Sequence, residues 1–249
     1  MTAEVALRVA DVVVEYDGVR AVDGVSMTAH RGSRWAVIGP NGAGKTTLFK
    51  TISGEVRASN GTVSYGDRDV TRLPPHRRAR LGLGRTYQVS NLFPNLSTED
   101  TVTLALLRTH GLHRRSWWPL RRSGSVADRA VELLRSVRLG EKRKVPVGEL
   151  SHGEQRQLEL ALAVAPGPDV LLLDEPAAGL TASERTVLRQ LIEDLPRDMT
   201  VVMIEHDIDL AFGLADYVLC LDNGRPIAQG RPEEIRTNAD VQSVYLRVD

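Results

Sequence analysis

The chain has 249 residues, with 32 Lys and Arg balanced by 32 Asp and Glu, 42% hydrophobic residues and 4% aromatic ones. These are ordinary globular proportions, which exclude collagen-like, disordered and disulfide-scaffold classes, and the zero net charge argues against a chain that works on nucleic acid. Cys220 is the one cysteine and has no internal partner, which points to a reducing compartment; no apolar run reaches the ~18 residues of a membrane span, and an N-terminus carrying Glu4, Asp11, Glu15 and Asp17 is expected to hold no leader.

In chain order, residues 5–16, 22–28, 34–38 and 61–65 are Val-containing runs separated by Gly, Asp or Asn, and are predicted as strands. A helix is predicted from Lys45, after Gly42 and Gly44, with apolar spacing through Ile52. Residues 98–109 open with the capping pattern Ser97, Thr98, Asp100, and 125–139 place Val126, Ala130, Leu133, Leu134 and Val137 on one helical stripe. The Pro/Gly/Trp/Arg-rich stretch 111–124 between them is predicted as a loop. Beyond Ser151 the pattern alternates: helices over 154–165, 182–195 and 207–214, with short apolar strands over 170–173, 200–204 and 217–221. Asp222-Asn223-Gly224 is a hairpin turn into 226–229. The result is a parallel-sheet core interrupted by a helical insert near 91–159.

Gly39-Pro40-Asn41-Gly42-Ala43-Gly44-Lys45-Thr46, followed by Thr47, fits G-x-x-x-x-G-K-[ST] between a predicted strand and a predicted helix. Glycines let successive N–H groups turn toward phosphate oxygens, the helix N-terminus adds partial positive charge, Lys45 neutralises the β/γ-phosphates and the Thr46 hydroxyl suits Mg²⁺. The alternative is a glycine turn with an exposed lysine. Asp174, ending the apolar run from Val170, is the expected carboxylate of the Mg²⁺ site. Glu175 follows as candidate base for the attacking water, against an ordinary capping or ion-pairing acid.

Leu150-Ser151-His152-Gly153-Glu154-Gln155 resembles the LSGGQ signature of ABC (ATP-binding cassette) ATPases, and further motifs follow the family's order. Tyr16 looks like the aromatic stacked on adenine, although a strand-face aromatic is the competing reading. Gln88 in Arg85-Thr86-Tyr87-Gln88 looks like the Q-loop glutamine, Ala178-Gly179-Leu180 like the D-loop, and His206 like the switch histidine. The resemblance implies an α/β fold: a P-loop NTPase ABC ATPase domain with a RecA-like core, an N-terminal antiparallel β subdomain and a helical insert. It implies one domain over 1–249, with 1–90 and 160–249 as nucleotide-binding core and β subdomain and 91–159 as helical signature subdomain. It assigns Glu175, His206 and Gln88 to catalysis, Thr46, Gln88 and Asp174 to Mg²⁺, and ATP to Tyr16, residues 39–47, Ser151, Gly153 and Glu154. In the family the signature closes over ATP held by a second ATPase subunit, so a head-to-tail dimer is implied. His152 and Glu154 depart from LSGGQ, and Thr181 stands where many cassettes have Asp.

Leu92-Phe93-Pro94-Asn95-Leu96, Asp174 to Leu180, and the tail from Gly230 to Leu246 resemble the ATPase subunits of branched-chain amino acid importers. That implies transmembrane permease subunits, a second cassette that is a copy or a paralogue, a separate substrate-binding protein, no nucleic acid, and a peripheral place on the cytoplasmic side of the inner membrane. A urea or short-amide importer ATPase and a soluble non-transport cassette remain alternatives. Ten arginines fall between Val70 and Ala127, where Glu99 and Asp100 are the acids, so the zero charge averages a basic stretch against an acidic remainder. With Trp117 and Trp118 this stretch reads as a membrane-proximal basic face, or as a variable solvated loop with an apolar anchor.

Overall fold

A computed structural model describes residues 4–86, 92–109 and 126–246. Gln88 and the Trp117/Trp118 loop lie outside them. The chain divides into two units: residues 1–83, 169–175 and 197–249 form the first, and 84–168 with 176–196 the second. The predicted 91–159 insert thus falls inside the second unit, which also takes in 176–196.

In the first unit β1 (Val5–Tyr16) and β2 (Val19–His30) form a hairpin closed by Asp17 and Gly18, both at positive φ. Leu7 and Val9, then Val12 and Val14, share the buried face, because a register shift between Val9 and Val12, with Asp11 at φ 49, flips the alternation. β3 (Arg34–Ile38) leads through the glycine loop into α1 (Lys45–Ser53), and β4 (Asn60–Tyr65) and β5 (Arg68–Asp69) complete an antiparallel sheet of order β2-β1-β4-β5. Next come α2 (Pro75–Ala79), with Pro75 at the first helical position, and β6 (Leu83–Arg85), where the first unit ends.

The second unit carries α3 (Thr98–Thr109), α4 (Val126–Ser136) and α5 (His152–Val164), and, beyond the strand β7 (Val170–Asp174) of the first unit, α6 (Ala182–Glu193). Ser97 caps α3 as its pattern predicts, accepting from the Asp100 amide at 3.0 Å. Val102, Leu106, Leu133, Leu134, Leu158 and Ile192 are buried in this unit.

The chain then returns to the first unit with β8 (Thr200–Ile204), α7 (Ile208–Leu214), β9 (Tyr217–Asp222), β10 (Arg225–Gly230), α8 (Pro232–Arg236) and α9 (Ala239–Leu246). The six-stranded sheet runs β10-β9-β3-β8-β7-β6. β3, β7 and β8 are buried along their whole length, the reason their sequences read as continuous runs with no polar face. β10 pairs antiparallel at the edge, where Pro226 costs no ladder bond. Leu48, Phe49 and Ile52 of α1 fill the core between the sheets, each contributing about 1.5–3 kcal/mol. Among the described residues no helix is long and apolar enough to cross a membrane.

One arginine of the basic stretch is not a surface charge. Arg78 is 1% exposed and donates from Nη1 to Thr51 O and Ile52 O, from Nε to Leu73 O and from Nη2 to Thr71 O, at 2.7–2.9 Å. It caps the C-terminus of α1, where carbonyls point outward without intrahelical donors.

Candidate active site

Parallel register brings the site together. Val37 of β3 and Asp174 of β7 both lie level with Ile204 of β8. The residues that follow these strands, Gly39 onward, Glu175 and Glu205-His206, therefore emerge at one edge of the sheet, the carboxyl edge where open α/β sheets bind ligands.

The glycine loop is wedged in place. A Cβ on Gly44, at φ 95, would lie 2.3 Å from Ala21 O of β2, and one on Gly39 would lie 2.1 Å from Leu221 O of β9. Gly224 N donates to Ala43 O at 3.1 Å and Asp23 N to Gly224 O at 2.8 Å, which ties the loop to the β9–β10 turn. Arg225 and Arg20 each reach Asp23 at 2.8 Å and hold its carboxyl below the usual range. α1 has no side-chain cap and no acid in its first turn, so its leading N–H groups are left for an anion. By contrast, α5 and α6 each carry a full capping box.

Lys45 is buried, and its ammonium curls back to Gly39 O at 2.7 Å and Pro40 O at 2.8 Å. Burial lowers its pKa, and the charges of Glu175, Cys220 and Asp174 oppose that shift. The amine thus closes the loop on its own carbonyls. Cys220 is a buried core residue, and burial pushes its thiol up to about 11.

Asp174 is buried at the end of β7. Glu175 has φ 49, and its amide donates to Ile204 O at 3.0 Å. Its Oε1 lies 2.8 Å from His206 Nε2, with the imidazole about half exposed and the carboxylate mostly covered. Glu205 beneath is buried and accepts from His206 N at 3.2 Å. Thr46 and Thr47 lie in the first turn of α1, and Asn41 and Gly42 are exposed at the loop's tip. Tyr16 ends β1 about half exposed. A Thr hydroxyl and a carboxylate are hard oxygen donors of the kind Mg²⁺ takes together with phosphate, so these residues fit that ion.

In the second unit α5 starts at His152, two residues before its predicted start, because Ser151 is the cap. Ser151 Oγ accepts from Glu154 N at 3.3 Å, and Glu154 Oε2 accepts from Ser151 N at 2.9 Å. Partial burial works against ionisation of Glu154, but its bonds with Lys142 (2.5 Å) and Ser151 outweigh that and keep its carboxyl below the usual range. Gly153 N donates to Glu184 Oε1 at 3.2 Å. Glu184, absent from the residues expected at the site, is marked in sequence only by the capping box Thr181-x-x-Glu184.

A glycine-rich loop closed by a buried lysine after β3, with acids at the ends of β7 and β8, is the arrangement of the P-loop nucleotide hydrolases. A family profile described as ABC transporter matches residues 22–178. LivG of Salmonella typhimurium, a high-affinity branched-chain amino acid transport ATP-binding protein, is 36% identical over 254 residues, covering 96% of this chain and 97% of LivG. BraF of Pseudomonas aeruginosa, named for the same transport, is 36% identical over 247 residues with the same coverage. Among solved structures, an ATP-binding cassette of an ABC transporter in its ADP conformation matches with a TM-score of 0.84 at 26% identity, over 97% of this chain and 98% of that one. The chain belongs to the ABC transporter family, as an ATP-hydrolysing cassette.

Proposed function

We propose that this chain hydrolyses ATP to drive an importer of branched-chain amino acids, working with transmembrane permease subunits, a second cassette and a substrate-binding protein, peripheral to the cytoplasmic face of the membrane. The observation that carries the hydrolytic part is Glu175, held by His206 at 2.8 Å at the sheet edge that also carries the lysine-closed loop. The substrate class rests on the likeness to LivG and BraF over nearly the whole length of each chain. Phe93, Leu104 and Leu107, large apolar side chains exposed in the second unit, support a protein partner there.

In this reading the α1 amides and the loop N–H groups receive the phosphates, and Lys45 leaves Gly39 O and Pro40 O for a phosphate oxygen. Thr46 and Asp174, with Gln88, would hold Mg²⁺, which when bound supplies neutralising charge to the β- and γ-phosphates. Glu175 takes the proton of the attacking water. When Glu175 is ionised, His206 Nε2–H is the donor of their bond, so the imidazole fixes the carboxylate. Tyr16, about half exposed, offers its ring to adenine, and Ser151 with Gly153 N–H meets the nucleotide of the second cassette.

Two measurements test this. Lys45→Ala is expected to weaken ATP binding about 100-fold, the worth of a charge-assisted bond to phosphate, by titration calorimetry; unchanged affinity would contradict the loop assignment. Reconstitution in liposomes with the membrane permease subunits that co-purify with it is expected to give ATP-dependent leucine uptake. Uptake of urea or amides without leucine overturns the substrate class, and failure to associate with any permease overturns the importer reading.

A further inference from the structure

One side chain ties the start of α6 to the start of α5. Glu184 Oε2 accepts from Thr181 N at 2.9 Å and from Thr181 Oγ1 at 2.8 Å, closing the α6 capping box. Its Oε1 accepts from Gly153 N at 3.2 Å, in the first turn of α5. The approach is close: a Cβ on Gly153 would sit 2.5 Å from Glu184 Oε1 and 2.7 Å from its Cδ. A side chain at 153 would have to push this carboxylate aside, so the carboxylate and the glycine share one space. His152 closes another side, its ring against Gly179, where a Cβ would come 3.1 Å from the imidazole Cε1. The Thr181 bonds foremost, with help from the Gly153 amide and His152, hold the Glu184 carboxyl below the usual range.

The N-terminus of α5 favours an anion; Glu154 holds the Ser151 amide, and the carboxylate on the Gly153 amide is Glu184. A γ-phosphate arriving at the same amide would face that carboxylate at a few ångströms, and two like charges at one donor repel strongly. We propose that Glu184 occupies the anion position of the Ser151–Gly153 motif from within the same subunit, and that the nucleotide of the second cassette displaces it. Glu184 is then a positioning residue that sets the ATP concentration at which the cassettes close. Its bonds to Thr181 carry that displacement to the segment 178–181. The family departures at His152 and Thr181 both lie on this latch. The proposal rests on the reading above that Ser151 and Gly153 meet the second cassette's ATP.

The test uses the full chain in the Glu175→Gln background, paired with whichever cassette it assembles with, its own copy or a paralogue. Association is followed by light scattering as Mg-ATP is titrated. Glu184→Gln keeps the shape and an acceptor for Thr181 but removes the charge. It is expected to lower the ATP midpoint for association about five-fold, with monomer ADP affinity changed by less than roughly two-fold. A midpoint unchanged or raised overturns the proposal, because a side chain that only caps α6 would alter thermal stability and give no gain in association. Ser151→Asp keeps a good cap while fixing a negative charge at the motif, and is expected to abolish association. If Ser151→Asp associates normally, the assignment of the motif to nucleotide fails; if it blocks association and Glu184→Gln shifts nothing, the Glu184 proposal alone fails.

Discussion

Glu175→Gln is expected to cut steady-state ATP turnover by about 10²–10⁴-fold, the usual contribution of a positioned general base, while the chain folds and still binds nucleotide. The backbone argues for the role as much as the side chain does. Glu175 has φ 49, in the left-handed region, which costs a non-glycine residue about 1–3 kcal/mol. The strain is held by its amide bond to Ile204 O at 3.0 Å and by the His206 ring 2.8 Å from its carboxylate. Gln keeps the backbone and the volume but takes up no proton, so binding and chemistry separate: fluorescent ATP affinity stays near that of the unmodified chain, and single-turnover phosphate release collapses. His206→Ala, which frees the carboxylate without removing it, is expected to lose less. Turnover of Glu175→Gln close to that of the unmodified chain would remove Glu175 from the chemistry.

Much of this was legible in sequence wherever a backbone requirement or two-sided burial constrains residue type. The loop from Gly39 to Lys45 needs glycines at close approaches to Ala21 O and Leu221 O, and α1 begins at Lys45 as predicted. Val170–Asp174 and Thr200–Ile204 read as strands because both faces are covered. Asp222-Asn223-Gly224 announced its hairpin, with Asn223 at φ 47 and Gly224 at φ 79. Boundaries slipped where a cap or turn decides them: β2 starts at Val19, earlier than predicted, because Asp17 and Gly18 make the turn, and α5 starts at His152 because Ser151 caps it. Short elements such as α2 and α8 carry too few residues for a period to show, and only Pro75 and Pro232 marked them. Arg78 and Glu184 stayed hidden for another reason. Their partners, Thr51 and Ile52 in one case and Gly153 in the other, lie 26–31 residues away, and nothing local marks the pairing. Within an arginine-rich stretch, composition suggests a solvated basic face, yet Arg78 faces inward.

That inward arginine sets the largest stability effect expected outside the catalytic residues. Arg78→Met retains the stem and a good helix former but strips donors from four carbonyls, two of them at the end of α1. Each buried acceptor left bare costs about 1–3 kcal/mol. Thr51 O keeps the Gly54 amide at 3.2 Å, and Ile52 O keeps the Tyr65 hydroxyl at 2.6 Å, so the losses do not add in full. The expected destabilisation is about 2–4 kcal/mol, or roughly 5–15 °C in Tm for a chain of this size. Arg78→Lys should recover only part of it, because one ammonium cannot reach carbonyls on three sides as the guanidinium fork does. The last turn of α1 is held by Arg78, while its first turn is uncapped and is proposed to take phosphate, and the two roles separate experimentally. Saturating ADP is expected to raise the Tm of Arg78→Met as much as it raises that of the unmodified chain, since ligand stabilisation depends on affinity at the other end of the helix. A variant that loses the ADP-induced rise as well would show that the α1 C-terminus also props the phosphate loop, and Arg78 would then belong to the nucleotide site.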